Sequence, residues 1–179
     1  NMIKKVDVKD NFLNNEVFNQ IRDVFSDHVF PWYYSDVVNE EDKLSSTSYL
    51  DNSQLSHYLY SFDKPMSQYF EKMEPIFEPL YLLDNFVSLY RMKANMNPRR
   101  SKIIEHGFHN DVTFQCRTGI LYLNTNDGYT CFEDGNKIES IENRFVAFDS
   151  SLKHSGTTCT DEPRRMVLNI NYFQSQIYK

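Results

Sequence analysis

A chain of 179 residues is of single-domain length and can bury a sizeable core, and 40% apolar with 15% aromatic residues describes a globular protein and not a disordered one. A net charge of −6 without a dense Lys/Arg tract disfavours a phosphate-tracking nucleic-acid surface, and no apolar run reaches membrane-spanning length or resembles a secretory signal. Three cysteines (Cys116, Cys131 and Cys159) lack Cys-x-x-Cys spacing, which argues against a disulfide scaffold or zinc ribbon and fits a reducing cytoplasm.

In chain order, the first predicted element is a helix over Asn11–Asp27. Val17, Phe18, Ile21, Val24 and Phe25 recur at helical spacing, and Asn14 or Asn15 can cap it. Phe30–Ser48 reads as irregular and holds Trp32 beside Tyr33 and Tyr34; Pro31–Tyr34 either seals the core edge or forms a lid over a substrate site. Ser53–Leu83 reads as helical, with a fresh start at Asp63 and Pro65, an apolar face of Met66, Tyr69, Phe70 and Met73, and closure by Pro75 and Pro79. On that reading His57 is a structural helical histidine.

After Asp84 the texture changes to strands. These are Phe86–Asn95, Gly119–Asn124, Tyr129–Phe132, Lys137–Ser140, Arg144–Phe148, Lys153–Ser155 and Arg165–Phe173, with Asn126-Asp127-Gly128 and Glu133-Asp134-Gly135-Asn136 as turns. Many short strands divided by turn chemistry predict a β-rich α+β fold, a jelly-roll barrel about 85–174 buttressed by helices about 11–83, in a single domain 1–179.

The chemistry concentrates in the second half. In a strand, residues i and i+2 share a face, so His109-Asn110-Asp111 presents an imidazole and a carboxylate side by side. His154, in Leu152-Lys153-His154-Ser155-Gly156, is the candidate third ligand, giving a two-His, one-carboxylate facial triad that suits Fe(II) and leaves positions open. His106, three residues before His109, is expected on the opposite face as a supporting or surface residue. A zinc site from His106, His109 and a cysteine fits less well, because no pair has finger spacing.

From Phe86 to Phe173 the sequence resembles the 2-oxoglutarate- and Fe(II)-dependent oxygenases, in their prolyl-4-hydroxylase-like branch. The resemblance rests on His109-Asn110-Asp111, Ile120–Asn124, Gly128–Phe132, Asn143–Ser150, His154-Ser155-Gly156 and Arg164–Phe173. Pro31-Trp32-Tyr33-Tyr34 resembles a segment of small viral members. The resemblance implies a double-stranded β-helix barrel, with His109, Asp111 and His154 holding Fe(II). It implies 2-oxoglutarate as cosubstrate, O2 as oxidant, ascorbate as an accessory reductant, and succinate and CO2 as co-products. A basic residue after the distal histidine would hold the far carboxylate of 2-oxoglutarate. Arg164 and Arg165 both follow, on opposite sides of a strand, and alignment of the Asn-Tyr-Phe ending selects Arg165. The resemblance also places Tyr122 at that carboxylate and Tyr90 near the iron-bound end. Asn171 stands where several prolyl hydroxylases have a bulky aromatic, and Asp127-Gly128 where Gly-Gly is common; both are expected on the substrate side.

The acceptor expected from the resemblance is a peptidyl residue or a small molecule, with no nucleic-acid or membrane partner. Two alternatives stand beside this: a catalytically silent jelly-roll binding module, and a cupin-like metal enzyme that needs no 2-oxoglutarate.

Overall fold

The architecture is set by strand alternation in the second half of the chain. The computed structural model describes residues 6–36, 38 and 52–175, so the predicted irregular stretch beyond residue 38 lies outside the described residues. In order the elements are β1 (Asp7–Lys9), α1 (Asn15–Ser26), β2 (Tyr33–Ser35), β3 (Gln54–Ser61), β4 (Lys64–Pro65), a 3-10 segment (Phe70–Ile76), α2 (Phe77–Asp84), β5 (Phe86–Pro98), β6 (Arg117–Tyr122), β7 (Tyr129–Phe132), β8 (Lys137–Glu139), β9 (Phe145–Asp149), β10 (His154–Gly156) and β11 (Arg164–Gln174). Seven strands run β1-β9-β6-β11-β5-β3-β2 in one antiparallel sheet, with β4 paired to β3, and a smaller sheet runs β10-β7-β8.

β11 sits centrally and shows why the sheet has two functions. Met166, Leu168, Ile170 and Tyr172 face a core built with Met92, Ala94 and Met96 of β5 and with Phe18, Ile21 and Phe25 of α1. Each of the large side chains among these contributes about 1.5–3 kcal/mol of burial. The alternate residues Arg165, Val167 and Asn169 face the opposite way, into a cavity. Ile120, Tyr122, Val146, Phe148 and Val167 of the large sheet pack with Phe132 of the small one, joining the two sheets.

α1 forms as expected, and Asn14 caps it by accepting from Val17 N at 2.9 Å. The helix predicted across Ser53–Leu83 does not form as one element. Gln54–Ser61 is strand β3, because its tyrosines and Leu55 and Leu59 pack better on a pleated surface than on a helix. Phe62 and Asp63 both have positive φ (52° and 58°), making a tight hairpin that sets Tyr60 opposite Pro65 in place of a helix start. Pro75 falls inside the 3-10 segment and Pro79 in the first turn of α2, where its missing N–H costs little, so neither ends the helical stretch. Asn85, in the left-handed region, ends it instead. Among the described residues, the chain before β5 is therefore one long helix, one short helix with a 3-10 segment before it, and four strands of the main sheet. His57 is structural, as expected, but on a strand, bonded to Pro31 O and Ser67 Oγ. Pro31–Tyr34 leads into the edge strand β2. Trp32 packs on Phe25 and Phe30, while Tyr33 and Tyr34 are exposed and line no described cavity.

Asn143 pins the N-terminal segment to the barrel. Its backbone is left-handed (φ 59°), its amide bonds Leu13 N and O, and its carbonyl accepts from Phe12 N. Asn143→Ala leaves two buried backbone groups unpaired and puts a less tolerant residue in the left-handed region, so an unfolding free energy lower by about 3 kcal/mol is expected. Urea denaturation measures it, and a loss below about 1 kcal/mol would contradict the role.

Candidate metal and cosubstrate site

The three predicted ligands converge, though not by the route expected. His109-Asn110-Asp111 lies in a loop, not a strand; a single antiparallel bridge joins it to β10, with His109 N donating to His154 O (3.0 Å) and His154 N to His109 O (3.1 Å). That bridge sets the two imidazoles side by side, ring centroids 4.9 Å apart. Asp111 Oδ1 lies 3.6 Å from His109 Nε2 and 3.8 Å from His154 Nε2, and one ligand atom from each residue lies within 4.8 Å of the others. A divalent ion bonded at ~2.1 Å to three cis donors needs separations near 3 Å, so small adjustments close this set around one ion. His109 Nδ1 faces the carbonyl of Gly107 (3.1 Å), which can only accept; the proton therefore sits on Nδ1 and Nε2 keeps its lone pair for a metal.

Asp111 is held from behind. Asn169 and Asn171 both donate to its Oδ2 (3.4 and 3.3 Å), and the Arg91 guanidinium lies 3.5 Å from Oδ1. Burial would raise the carboxyl, but His154, His109 and Arg91 outweigh it and hold Asp111 well below the usual carboxylate range. Burial pushes the His154 imidazole down, against the pull of Asp111. With its imidazoles neutral, the triad offers two nitrogen donors and an ionised carboxylate, the donor set that Fe(II) takes with open positions.

The triad opens onto a cavity of about 340 Å³ whose far end is Arg165. Arg165 is 3% exposed; its Nε donates to Ser140 Oγ (2.9 Å) and its Nη2 to Thr130 Oγ1 (3.3 Å). No carboxylate pairs with it among the described residues, and burial pushes its pKa down. Arg164 points to the other face, against Met96 Sδ. Tyr122 lies behind Arg165, which stacks 5.6 Å over its ring, and the tyrosine hydroxyl donates to Thr130 Oγ1. Tyr90 does not line this cavity; it sits at a bulge of β5, edge-on to Phe114, in an adjoining groove. Asn171 is fully buried beside Asp111, and Gly128 lies beneath Arg165, where a Cβ would meet Arg165 Cδ at 2.7 Å.

Sequence reasoning missed several cavity residues. Arg91, Lys93, Asn95 and Asn97 alternate with buried Met92, Ala94 and Met96 on β5, and a polar stripe opposite a core stripe was the available signal. His106, expected on the opposite face, lines the cavity, because the loop does not follow strand alternation. Asn97 Nδ2, Asn95 Oδ1, Asn169 Oδ1 and His106 Nε2 are buried without a hydrogen-bond partner among the described residues. Such unmet polar atoms, together with an unpaired guanidinium, fit a polar diacid in the cavity.

Burial, then Arg165, His109 and Arg100, lowers the His106 pKa to about 4. A depressed histidine leaves the protein fully stable above the unfolded pKa of about 6.5; stability falls as pH drops from there toward 4, by about 2–3 kcal/mol from this residue. Urea denaturation of metal-free protein near pH 7 and pH 4.5 should show His106→Gln losing less stability than wild type. Equal losses would remove His106 as the cause.

The sequence matches no protein-family model, and no curated protein is similar to it. Solved structures are similar in fold. A prolyl-4-hydroxylase from Pseudomonas putida aligns with a TM-score of 0.59 at 13% identity, covering 97% of this chain and 94% of that one. A prolyl hydroxylase from Trichoplax adhaerens, in complex with a hypoxia inducible factor oxygen degradation domain peptide fragment, aligns at 0.62 and 13%, covering 94% and 83%. A 2OG-Fe(II) oxygenase family oxidoreductase from Burkholderia pseudomallei aligns at 0.63 and 10%, covering 96% and 86%. The fold is that of the prolyl hydroxylases and 2OG-Fe(II) oxygenases.

Proposed function

We propose that this protein is an Fe(II)- and 2-oxoglutarate-dependent dioxygenase that hydroxylates a small molecule or a peptidyl residue, on a double-stranded β-helix of one domain. The observation that carries this reading is the joining, in one cavity, of the His109–Asp111–His154 triad with the buried, carboxylate-free Arg165. The similarity in fold to 2OG-Fe(II) oxygenases supports it.

His109, Asp111 and His154 would hold the iron. Arg165, backed by Thr130, Ser140 and Tyr122, would take the far carboxylate of 2-oxoglutarate through its planar fork. Asn95, Asn97 and Asn169 would bond the keto-acid body, satisfying their orphaned atoms. Asn169, Asn171 and Arg91 fix the orientation of the Asp111 carboxylate. With the keto acid bound, the iron supplies dioxygen activation, in which 2-oxoglutarate and O2 become succinate and CO2 while one oxygen atom enters an acceptor C–H bond. Apolar Ile120 and Val167 in the wall help to exclude water from that chemistry.

The test is succinate release with Fe(II), 2-oxoglutarate and a panel of peptides and small metabolites. Acceptor-stimulated succinate is expected. Failure of the protein to bind 2-oxoglutarate in the presence of Mn(II) would sink the reading.

A further inference from the structure

Arg91 and Lys93 project from the same face of β5, ~7 Å apart along the strand, and both line the cavity. The β5–β11 register sets Arg91 opposite Asn171 and Lys93 opposite Asn169, the two residues that hold Asp111 Oδ2. The pair therefore flanks the triad. Arg165 lies four residues from Asn169 along β11, ~13 Å away at the other end.

The charges around the cavity do not balance. Asp111 is the one carboxylate among the described residues lining it, against Arg91, Lys93 and Arg165. If Asp111, braced by Arg91, serves the metal and Arg165 the keto acid, Lys93 beside the triad has no carboxylate at ion-pair distance among the described residues. Lys93 lies over the face of Tyr58, 5.1 Å away, and burial and then Arg91 push its ammonium group down against the pull of Asp111. Sheltering Lys93 next to Arg91, with Asp111 the one carboxylate to serve both cations and a metal, is costly, and a ligand that brings a second anion would offset that cost. A second groove, about 450 Å³, meets the cavity at Tyr58, Arg91 and Asp111, and Phe62, Met66, Tyr90 and Phe114 make it largely apolar.

We propose, resting on the oxygenase reading above, that the acceptor is an organic carboxylate with an apolar body, its carboxylate held by Arg91 and Lys93 beside the metal triad and its body in the Phe62–Phe114 groove. The acceptor of a dioxygenase must present a C–H bond at the open side of the metal, and a carboxylate clamp there would fix which bond is presented.

The experiment uses the full chain loaded with Mn(II) and saturated with 2-oxoglutarate, without dioxygen, so that the Arg165 end is filled. Binding of N-acetyl-L-leucine and N-acetyl-L-phenylalanine is compared by calorimetry with that of their amides at neutral pH. The acids are expected to bind at least ~10-fold more tightly, and Lys93→Met to abolish that preference while leaving Mn(II) and 2-oxoglutarate affinity unchanged. A short peptide ending in the same residue adds a source arm: equal binding marks a chain terminus, and binding of the small acids alone marks a metabolite. Equal affinity for acid and amide, binding by neither, or a preference that survives Lys93→Met overturns the proposal but not the oxygenase reading. Failure of wild type to bind Mn(II) and 2-oxoglutarate overturns both.

Discussion

His154→Ala is expected to lower divalent-metal affinity by about 10³-fold or more. Changes to groups that merely orient a ligand typically cost 10- to 100-fold, and this one deletes a ligand outright. His154 is 4% exposed and is locked to His109 by paired backbone hydrogen bonds of 3.0 and 3.1 Å, so its imidazole is held in place as a ligand. The comparison variant is Asn171→Leu, which keeps all three ligands but removes a donor to Asp111 Oδ2; a loss of about 10- to 100-fold is expected there. Mn(II) titrations on both proteins, with near-ultraviolet circular dichroism to verify packing, decide the matter. Full metal affinity in a folded His154→Ala protein would remove the triad from the site.

Arg165→Leu is expected to weaken 2-oxoglutarate binding by about 10²–10³-fold with Mn(II) affinity unchanged. A bidentate charge-assisted contact contributes about 3–4 kcal/mol, and each 1.4 kcal/mol is tenfold. Because burial already disfavours the guanidinium charge and its partners are neutral hydroxyls, leucine should leave the ligand-free protein as stable as wild type or more so. Arg164→Ala should bind 2-oxoglutarate normally, since that side chain meets Met96 on the core side. Isothermal titration with the keto acid separates these outcomes. Unaltered affinity in Arg165→Leu would favour a metal enzyme that works without 2-oxoglutarate.

The legible parts of the chain were those governed by local periodicity. The strand-rich second half, the α1 stripe with its Asn14 cap, and the opposite facing of Arg164 and Arg165 all follow from spacing of two or 3.6 residues. Gln54–Ser61 misled because tyrosines and leucines satisfy a helical pattern as readily as a strand, and only pairing with β5 decides between them. Asp63 and Pro65 carry helix-start chemistry, yet Phe62 and Asp63 adopt a left-handed turn once the hairpin forms. His106 was misplaced because alternation was assumed across a loop.

The sequence by itself brought forward the candidates: residue type and order pointed to His109, Asp111 and His154, and the family resemblance to Arg165 over Arg164. The tertiary structure alone decided that Arg91 and Asn171, distant in the chain, meet at Asp111, that His106 faces inward, and that Lys93 lines the same cavity as the triad. Those relations depend on β5–β11 register and on a single bridge between a loop and β10. Both are non-local pairings whose energies come from packing across the sheet, which no local stretch of sequence encodes.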